Sequence, residues 1–217
     1  MLRVAREVAG SNTPILGINA GGLGFLTDVP MHQLALAIEQ IWTGESVLES
    51  RPLIEVSGST NGRRFSMIAL NDFVVTRGEA PRLIELEVSV DDETLTRYRC
   101  DGLIVCSPTG STAYSLAAGG AVVSPSAEVF TLTPICPHTL SNRSVIVSLH
   151  SKVKVKVIGK RVETILTGDG QTTIPLNPGD QIEVKRSKRQ IQLLHLRGRS
   201  FFKTLRRKLN WSGSNVP

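Results

Sequence analysis

The sequence predicts an α/β opening followed by a long all-β region, with a return to mixed character at the end. Three observations predict it. The first 48 residues read helix, strand, loop, helix. Near Glu49 the pattern changes to alternating and β-branched runs that persist to residue 186. The last residues then hold one strand pattern and one amphipathic helix pattern. The opening is too short to stand alone and reads as part of an α/β layer.

In order, Leu2, Ala5, Val8 and Ala9 share one face of a helix that Gly10-Ser11-Asn12 terminates. Residues 14–19 form a short apolar strand that runs into the Gly-rich turn Ala20-Gly21-Gly22-Leu23-Gly24. Leu34, Ile38 and Ile41 set helical spacing over 32–42. Two runs around Thr60-Asn61-Gly62 predict strands joined by a turn, and 82–106 continues in β character. Further strands are predicted at 144–149, 153–158, 164–166 and 181–184, with turn signals at Gly168-Asp169-Gly170 and Asn177-Pro178-Gly179-Asp180. A single helix is predicted within this region, at 112–118. Residues 190–196 are a strand candidate, and Phe201, Phe202, Leu205 and Leu209 give an amphipathic helix.

Apolar residues make up 41% and charged residues 20% of the 217, which fits a globular chain able to bury a sizeable core. No apolar run reaches the length that crosses a bilayer, and the opening shows no secretory pattern, so a cytoplasmic protein without membrane contact is expected. Cys100, Cys106 and Cys136 have no paired spacing and read as reduced thiols, and the four histidines are scattered; no metal-ligand pattern emerges. The net charge of +6 is concentrated late, in a run from Lys185 to Lys208 that contains no acid. Such a run is either a solvated face, the preferred reading, or a polyanion surface. Interleaved aromatics are lacking, so nucleic acid is not an expected partner.

Three stretches could carry chemistry. Pro108-Thr109-Gly110-Ser111-Thr112 follows the apolar run Leu103-Ile104-Val105 and leads into the predicted helix. It offers a permissive Gly, three hydroxyls and the free N–H groups of a helix start. It has no P-loop lysine and no nucleophile-elbow pattern, and on the residues alone it is either a ligand cradle or a capped loop. Asp101 is either an acceptor for sugar hydroxyls or a turn residue. Asn71-Asp72, set between apolar β runs, marks either a bulge or a pair aimed at a ligand. The glycines from Gly17 to Gly24 lack the dinucleotide spacing.

Taken in order, "LGINAGGLGFLTDV", "ALNDFVVTR", "DGLIVCSPTGSTAYSLAAGG", "HTLSNRSVIVS" and "DGQ" closely resemble the NAD kinase family over essentially the whole chain. The resemblance implies a partial Rossmann-like, phosphofructokinase-like α/β domain (1–48) and a β-sandwich NAD-binding domain (49–186). A closing strand and helix (187–217) would return to the first domain. It implies phosphoryl transfer from ATP, or from polyphosphate, to the 2′-hydroxyl of the adenosine ribose of NAD, giving NADP. It also implies a divalent metal, usually Mg2+, with the donor, and a homodimer or homotetramer. By motif, Asn71-Asp72 corresponds to the family's Asn-Glu pair at the adenosine, one methylene shorter. Arg82, Arg99 and Asp101 correspond to further substrate contacts. Thr112, Ala113, Tyr114, Ser115, Leu116 and Ala117 correspond to the loop that holds the dinucleotide, and Gln171 to a late NAD contact.

One family motif is missing from these residues. Gly-Gly-Asp-Gly-Thr, whose carboxylate would act as base and whose glycines would cradle phosphate, belongs directly before Met1-Leu2-Arg3, where the first helix begins. The resemblance thus puts the catalytic Asp ahead of Met1. The expectation is an N-terminally truncated chain with no catalytic residue of its own, which keeps NAD-binding elements and transfers phosphate poorly. Two alternatives stand beside it. A lipid kinase shares the Gly-Gly-Asp-Gly motif and layout, but "STAYSLAAGG" and Asn71-Asp72 oppose it. A non-catalytic dinucleotide or polyanion binder would suit the missing motif and the basic tail.

Overall fold

The computed structural model describes residues 1–21, 24–27, 29–79, 82–139, 141–159 and 162–211. Gly22 and Leu23 of the Gly-rich turn, and Asp28 in "LGINAGGLGFLTDV", lie outside the described residues. The chain divides into two compact units, one of Met1 and Arg3–Arg51 with Ile191–Pro217, the other of Pro52–Gln190 with Leu2.

The opening runs α1 (Leu2–Glu7), β1 (Pro14–Leu16), β2 (Ile18–Asn19), β3 (Val29–Pro30) and α2 (Leu34–Trp42). Met1 is the N-cap of α1; its side chain caps nothing, but its carbonyl accepts the Ala5 N–H at 2.9 Å. The strand expected over 14–19 is broken in two at Gly17. The long strand β4 (Ser46–Thr60) turns through Asn61-Gly62 into β5 (Arg63–Ala69), and β6 (Asp72–Arg77) follows. Asn61 and Gly62 both take positive φ, 50° and 73°, and Thr60 faces Arg63, as a two-residue hairpin turn requires. Next come β7 (Ile84–Val90), β8 (Glu93–Cys100), β9 (Gly102–Cys106), the short helix α3 (Tyr114–Ala117), β10 (Val129–Ile135) and β11 (Val145–Ser148). β12 (Val153–Val157), β13 (Thr164–Gly168), β14 (Thr172–Leu176), β15 (Gln181–Leu196) and α4 (Phe201–Leu209) complete the order.

Several differences from the sequence reading have physical causes. The predicted strands 181–184 and 190–196 are one strand, β15; the charged stretch between them stays extended. β10 and β14 were not expected, and each carries a proline, Pro134 and Pro175. Both prolines are tolerated at open edges: β14 ends its sheet, and the pairing of β10 with β11 stops at Leu132↔Val145, short of Pro134. The helix expected over 112–118 is a 3-10 turn at Thr109–Thr112 followed by the single turn α3.

In the second unit two sheets face each other. One has the order β5-β4-β15-β12-β7-β8, the other β11-β10-β9-β6-β13-β14. Ile54, Leu86, Tyr98, Val155 and Val184 from the first meet Phe73, Leu103, Val105, Phe130 and Leu166 from the second in one buried cluster. This is the antiparallel sandwich expected from alternating strands. β9 is buried along its whole length. Leu103 and Val105 enter the sandwich core, while Ile104 and Cys106 pack on the other face with Val74, Ala118 and Ile135. The continuous apolar run therefore reflects burial on both faces, and it holds the loop after Cys106 against the outside of the second sheet.

In the first unit β1 runs parallel to the end of β15, Ile15 opposite Leu193. Glu49 on β4 accepts from His195 at 2.9 Å and from Arg51 at 3.0 Å. The His195 hydrogen bond and the Arg51 guanidinium hold its carboxyl down at about 2, against the opposing effect of burial. Arg199 donates to the carbonyl of Phe25, Phe25 lies 6.1 Å from Phe201, and Lys208 sits 4.7 Å above the Phe25 ring. Part of the basic run is thus structural. Ser200 caps α4 by accepting the Lys203 N–H, and Asn210 closes it in the left-handed region.

Leu103 is fully buried in the sandwich core. Leu103→Ala is expected to lower stability by about 2–5 kcal/mol in denaturant unfolding. Leu48, 58% exposed, should tolerate the same change within about 0.5 kcal/mol.

Candidate functional site

The site begins where β5 hands over to β6. Leu70 and Asn71 link them, and Asp72 opens the new strand. One carboxylate fixes this link. Asp169 accepts the main-chain N–H groups of Leu70 at 3.0 Å, Asn71 at 2.8 Å and Asp72 at 3.3 Å, and its own N–H donates to the Asp72 carbonyl at 3.0 Å. Asp169 can do this because it starts the turn between β13 and β14, where Asp169 and Gly170 take φ of 50° and 65°. On the other side Ser107 donates its hydroxyl to the Leu70 carbonyl and its N–H to the Asn71 carbonyl. A Cβ on Gly110 would lie 2.2 Å from the Asn71 carbonyl oxygen, so only glycine lets the 107–110 backbone close on the link. Two segments distant in sequence thus grip one short link.

The grip leaves two polar groups unsatisfied. The Asn71 side-chain oxygen is buried with no hydrogen-bond partner. The Asp72 side chain, 5% exposed, takes no hydrogen bond among the described residues. Burial, and secondarily the charge of Asp169, push the Asp72 carboxyl up to about 7. Buried polar groups are normally paired, so an unpaired couple facing a cavity points to a ligand. Such a cavity is present, with a volume of about 390 Å³. Asn71, Asp72, Asp169 and Gly170 supply its polar side; Val74, Thr76 and Thr167 form its floor; Ala113 and Tyr114 form the facing wall. A pocket of this size and mixed character suits part of a small ligand. Its lining has no Lys or Arg, so it suits a flat, hydrogen-bonding group better than a phosphate.

The structure brings together four of the residues that the sequence singled out: Asn71, Asp72, Ala113 and Tyr114. The others lie outside the cavity lining. Thr112 turns its hydroxyl to the Thr109 carbonyl. Ser115 is buried and bonded to Thr133 at 2.9 Å. Leu116 is half-buried and Ala117 exposed. Asp101 pairs with Arg77 at 2.8 Å. Arg82 and Arg99 are exposed, and Gln171 is exposed one residue beyond Gly170. Met1, which the resemblance puts next to the donor motif, is half-buried and serves α1 through its carbonyl alone, so it adds no catalytic group. The hydroxyls of the loop also serve differently from expectation. Ser111 donates to the Pro108 carbonyl at 2.7 Å and accepts the Val123 N–H at 3.1 Å, knitting the loop to itself. α3, one turn long, offers no helix-start cradle.

Sequence reasoning missed Asp169, although the Asp-Gly-Gln motif contains it; a carboxylate in a turn does not announce three remote N–H partners. It also missed Val74 and Thr76. The strand period of two puts them on the same face as Asp72, and that signal was available once β6 was drawn from Asp72.

Fold and cavity define a two-part protein, an α/β unit and an antiparallel sandwich, with a polar small-molecule site on the sandwich. Residues 1–46 match the ATP-NAD kinase N-terminal domain and residues 70–196 the ATP-NAD kinase C-terminal domain. The NAD kinase of Syntrophotalea carbinolica is 41% identical over 97% of this chain and 74% of its own length. That of Moorella thermoacetica is 44% identical over 99% of this chain and 69% of its own. Yeast NADH kinase, solved with NADH, superposes with a TM-score of 0.86 at 29% identity, over 98% of this chain and 63% of its own. An NAD kinase from Archaeoglobus fulgidus, solved with ATP, gives 0.76 at 28%, over 92% of this chain and 75% of its own. The chain belongs to the NAD kinase family. This membership favours the NAD kinase reading over a lipid kinase.

Asp72 links the site to stability. The folded protein keeps its proton up to about pH 7, whereas the ordinary value is 3.8. Stability therefore falls as pH rises between those values and is level above. Asp72→Asn is expected to stabilise the protein by about 2–4 kcal/mol at pH 8 and to have little effect near pH 4, read from thermal unfolding at both.

Proposed function

We propose that this chain is an NAD kinase component that binds NAD with the adenosine half in the Asn71 cavity. The chemistry it serves is phosphoryl transfer from ATP to the 2′-hydroxyl of the adenosine ribose, yielding NADP. The observation that carries the reading is the buried, unpartnered side-chain oxygen of Asn71 beside the buried Asp72 carboxyl, which takes no hydrogen bond among the described residues. Adenosine offers the matching groups: an exocyclic amine and ring nitrogens for the Asn71 amide, and ribose hydroxyls for the Asp72 carboxyl. A carboxyl titrating near neutrality can accept from such a hydroxyl or donate to it. Tyr114, 49% exposed at the cavity wall, supplies a ring face beside the base. Asp169 acts through the link, by holding Asn71 and Asp72 at the angle the ligand needs. The proposed contact set is Asn71, Asp72, Ala113 and Tyr114, with Gln171 at the rim; Arg82, Arg99 and Asp101 are candidate contacts for the rest of the dinucleotide.

These residues bind and orient. Phosphoryl transfer depends on positioning and on charge stabilisation, and the motif that would supply a base and a phosphate cradle does not occur in the sequence from Met1 onward. Among the described residues no three His, Cys, Asp or Glu side chains converge as metal ligands. No step is assigned to the Mg2+ that the resemblance implies.

A polypeptide of these residues is expected to bind NAD in calorimetry and to form little NADP with ATP or polyphosphate. Asn71→Ala should weaken NAD binding by about tenfold, the loss of one buried hydrogen bond. Asp169→Asn should weaken it by at least as much, with Asp169→Glu intermediate. Undiminished NAD affinity in Asn71→Ala would remove the adenosine from this cavity, and rapid NADP formation would restore a catalytic role to the chain alone. Light scattering on the same sample tests the homodimer or homotetramer.

A further inference from the structure

Ala113 and Tyr114 form one wall of the Asn71 cavity, and the angle of α3 decides where that wall stands. α3 cannot set this angle by itself. It is a single turn, Tyr114–Ala117, too short to hold its own shape in isolation. On its apolar side Ala118 packs with Val74, Ile104 and Cys106. Apolar contact has no direction, so it holds the turn down without fixing its rotation.

A chain of three hydroxyls supplies the direction. Ser115 is fully buried, and its hydroxyl meets that of Thr133 at 2.9 Å. Thr133, also buried, meets the Ser144 hydroxyl at 2.9 Å. The strand period puts Thr133 on the outer face of β10 with Ile135, while Phe130 and Leu132 enter the sandwich core. α3 is thereby tied to β10 and to the residue that precedes β11. The Gly119-Gly120 pair protects the same contact. Gly119 takes φ of 85°; its N–H donates to the Leu116 carbonyl at 3.0 Å, and that of Gly120 to the Ser115 carbonyl at 2.7 Å. This left-handed closure turns the chain back onto Ser115. A Cβ on Gly120 would lie 2.2 Å from the Ser115 Oγ and 2.7 Å from the Thr133 Oγ1, so only glycine fits against the hydroxyl pair.

We infer that Ser115, acting through Thr133, is a positioning residue for dinucleotide binding: it sets the angle at which Ala113 and Tyr114 close the Asn71 cavity. The inference rests on the reading that the adenosine half of NAD occupies that cavity. Consecutive helical residues point about 100° apart, so a Ser115 side chain held toward Thr133 leaves Tyr114 directed to the other side, at the cavity wall. A hydrogen bond weakens steeply as it bends, and this resists rolling of the turn. Ser115 itself is sealed from the cavity and touches no ligand. Its part in the motif is to support the wall.

The test is NAD calorimetry on the full chain, with amide hydrogen exchange on the same samples. Ser115→Ala and Thr133→Val should each weaken NAD binding about three- to tenfold, and Thr133→Ser, which keeps the hydroxyl, should stay near the unsubstituted chain. Ser144→Ala, at the half-buried end of the chain of hydroxyls, should act in the same direction and more mildly, and it serves if the buried variants do not fold. Tyr114→Ala should also weaken binding, and adding Ser115→Ala to it should cost nothing further, because Ser115 acts through Tyr114. Without NAD, Ser115→Ala should speed exchange at the Gly119 and Gly120 amides and leave β9 protected. Unchanged NAD affinity in Ser115→Ala, or additive losses in Tyr114→Ala/Ser115→Ala, would overturn the inference and leave the adenosine reading intact. Unchanged affinity in both Asn71→Ala and Tyr114→Ala would remove the adenosine reading itself, and the inference with it.

Discussion

The candidate site depends on one interaction: the carboxylate of Asp169 receiving three successive main-chain N–H groups from the Leu70-Asn71-Asp72 link. Hydrogen bonds to an ionised acceptor are stronger than neutral ones, and three on one group define an orientation as well as an attachment. The return bond from the Asp169 N–H to the Asp72 carbonyl makes the contact reciprocal. Ser107 and the close approach at Gly110 oppose it from the other side. With its main chain so fully engaged, the link can leave the side chains of Asn71 and Asp72 without partners inside the fold. Burial, and secondarily the fixed negative charge of Asp169 beside it, is why Asp72 holds its proton to near neutrality. One turn aspartate thus sets the geometry of the cavity and adds to the effect of burial on its electrostatics.

That grip is possible because the sandwich brings its three parts together. β6 lies between β9 and β13 in the second sheet. The loop after β9 therefore emerges on one side of Asn71-Asp72, and the turn after β13 on the other. β9 is buried on both faces, so its loop is anchored at its root. The loop's hydroxyls complete the anchoring internally, which explains why a stretch so rich in Ser and Thr presents few of them to the cavity.

The cationic residues late in the chain do not form one class. Arg199 and Lys208 are tied to Phe25 and to the Glu49–His195 pair within the first unit. Lys185 and Arg186 are balanced by Glu55 and Glu128. Lys152 lines one hollow with Lys188 and Arg189, and a linear tally of charge shows no such grouping. Neither a solvated face nor a continuous polyanion surface describes the run as a whole.

The sequence by itself determined the fold class, most strands and the closing helix, because those rest on local periodicity and turn chemistry. Phe201–Leu209 could be read directly from its spacing, and the Asn61-Gly62 hairpin from its turn residues. It also marked Asn71-Asp72, because a polar pair between apolar strands is conspicuous in one dimension. Tertiary structure decided what local pattern cannot express. Pro134 and Pro175 concealed strands that are permitted only at sheet edges, and edges exist only once strands are ordered. Ser115 and Thr112 shared a motif with Ala113 and Tyr114, yet only the latter two reach the cavity, because the α3 segment is one turn and directs its neighbours to different sides. Asp169 stands nearly a hundred residues from the amides it binds, |i−j| of 97 to 99, and a contact at that separation exists only after the strands have been brought into register.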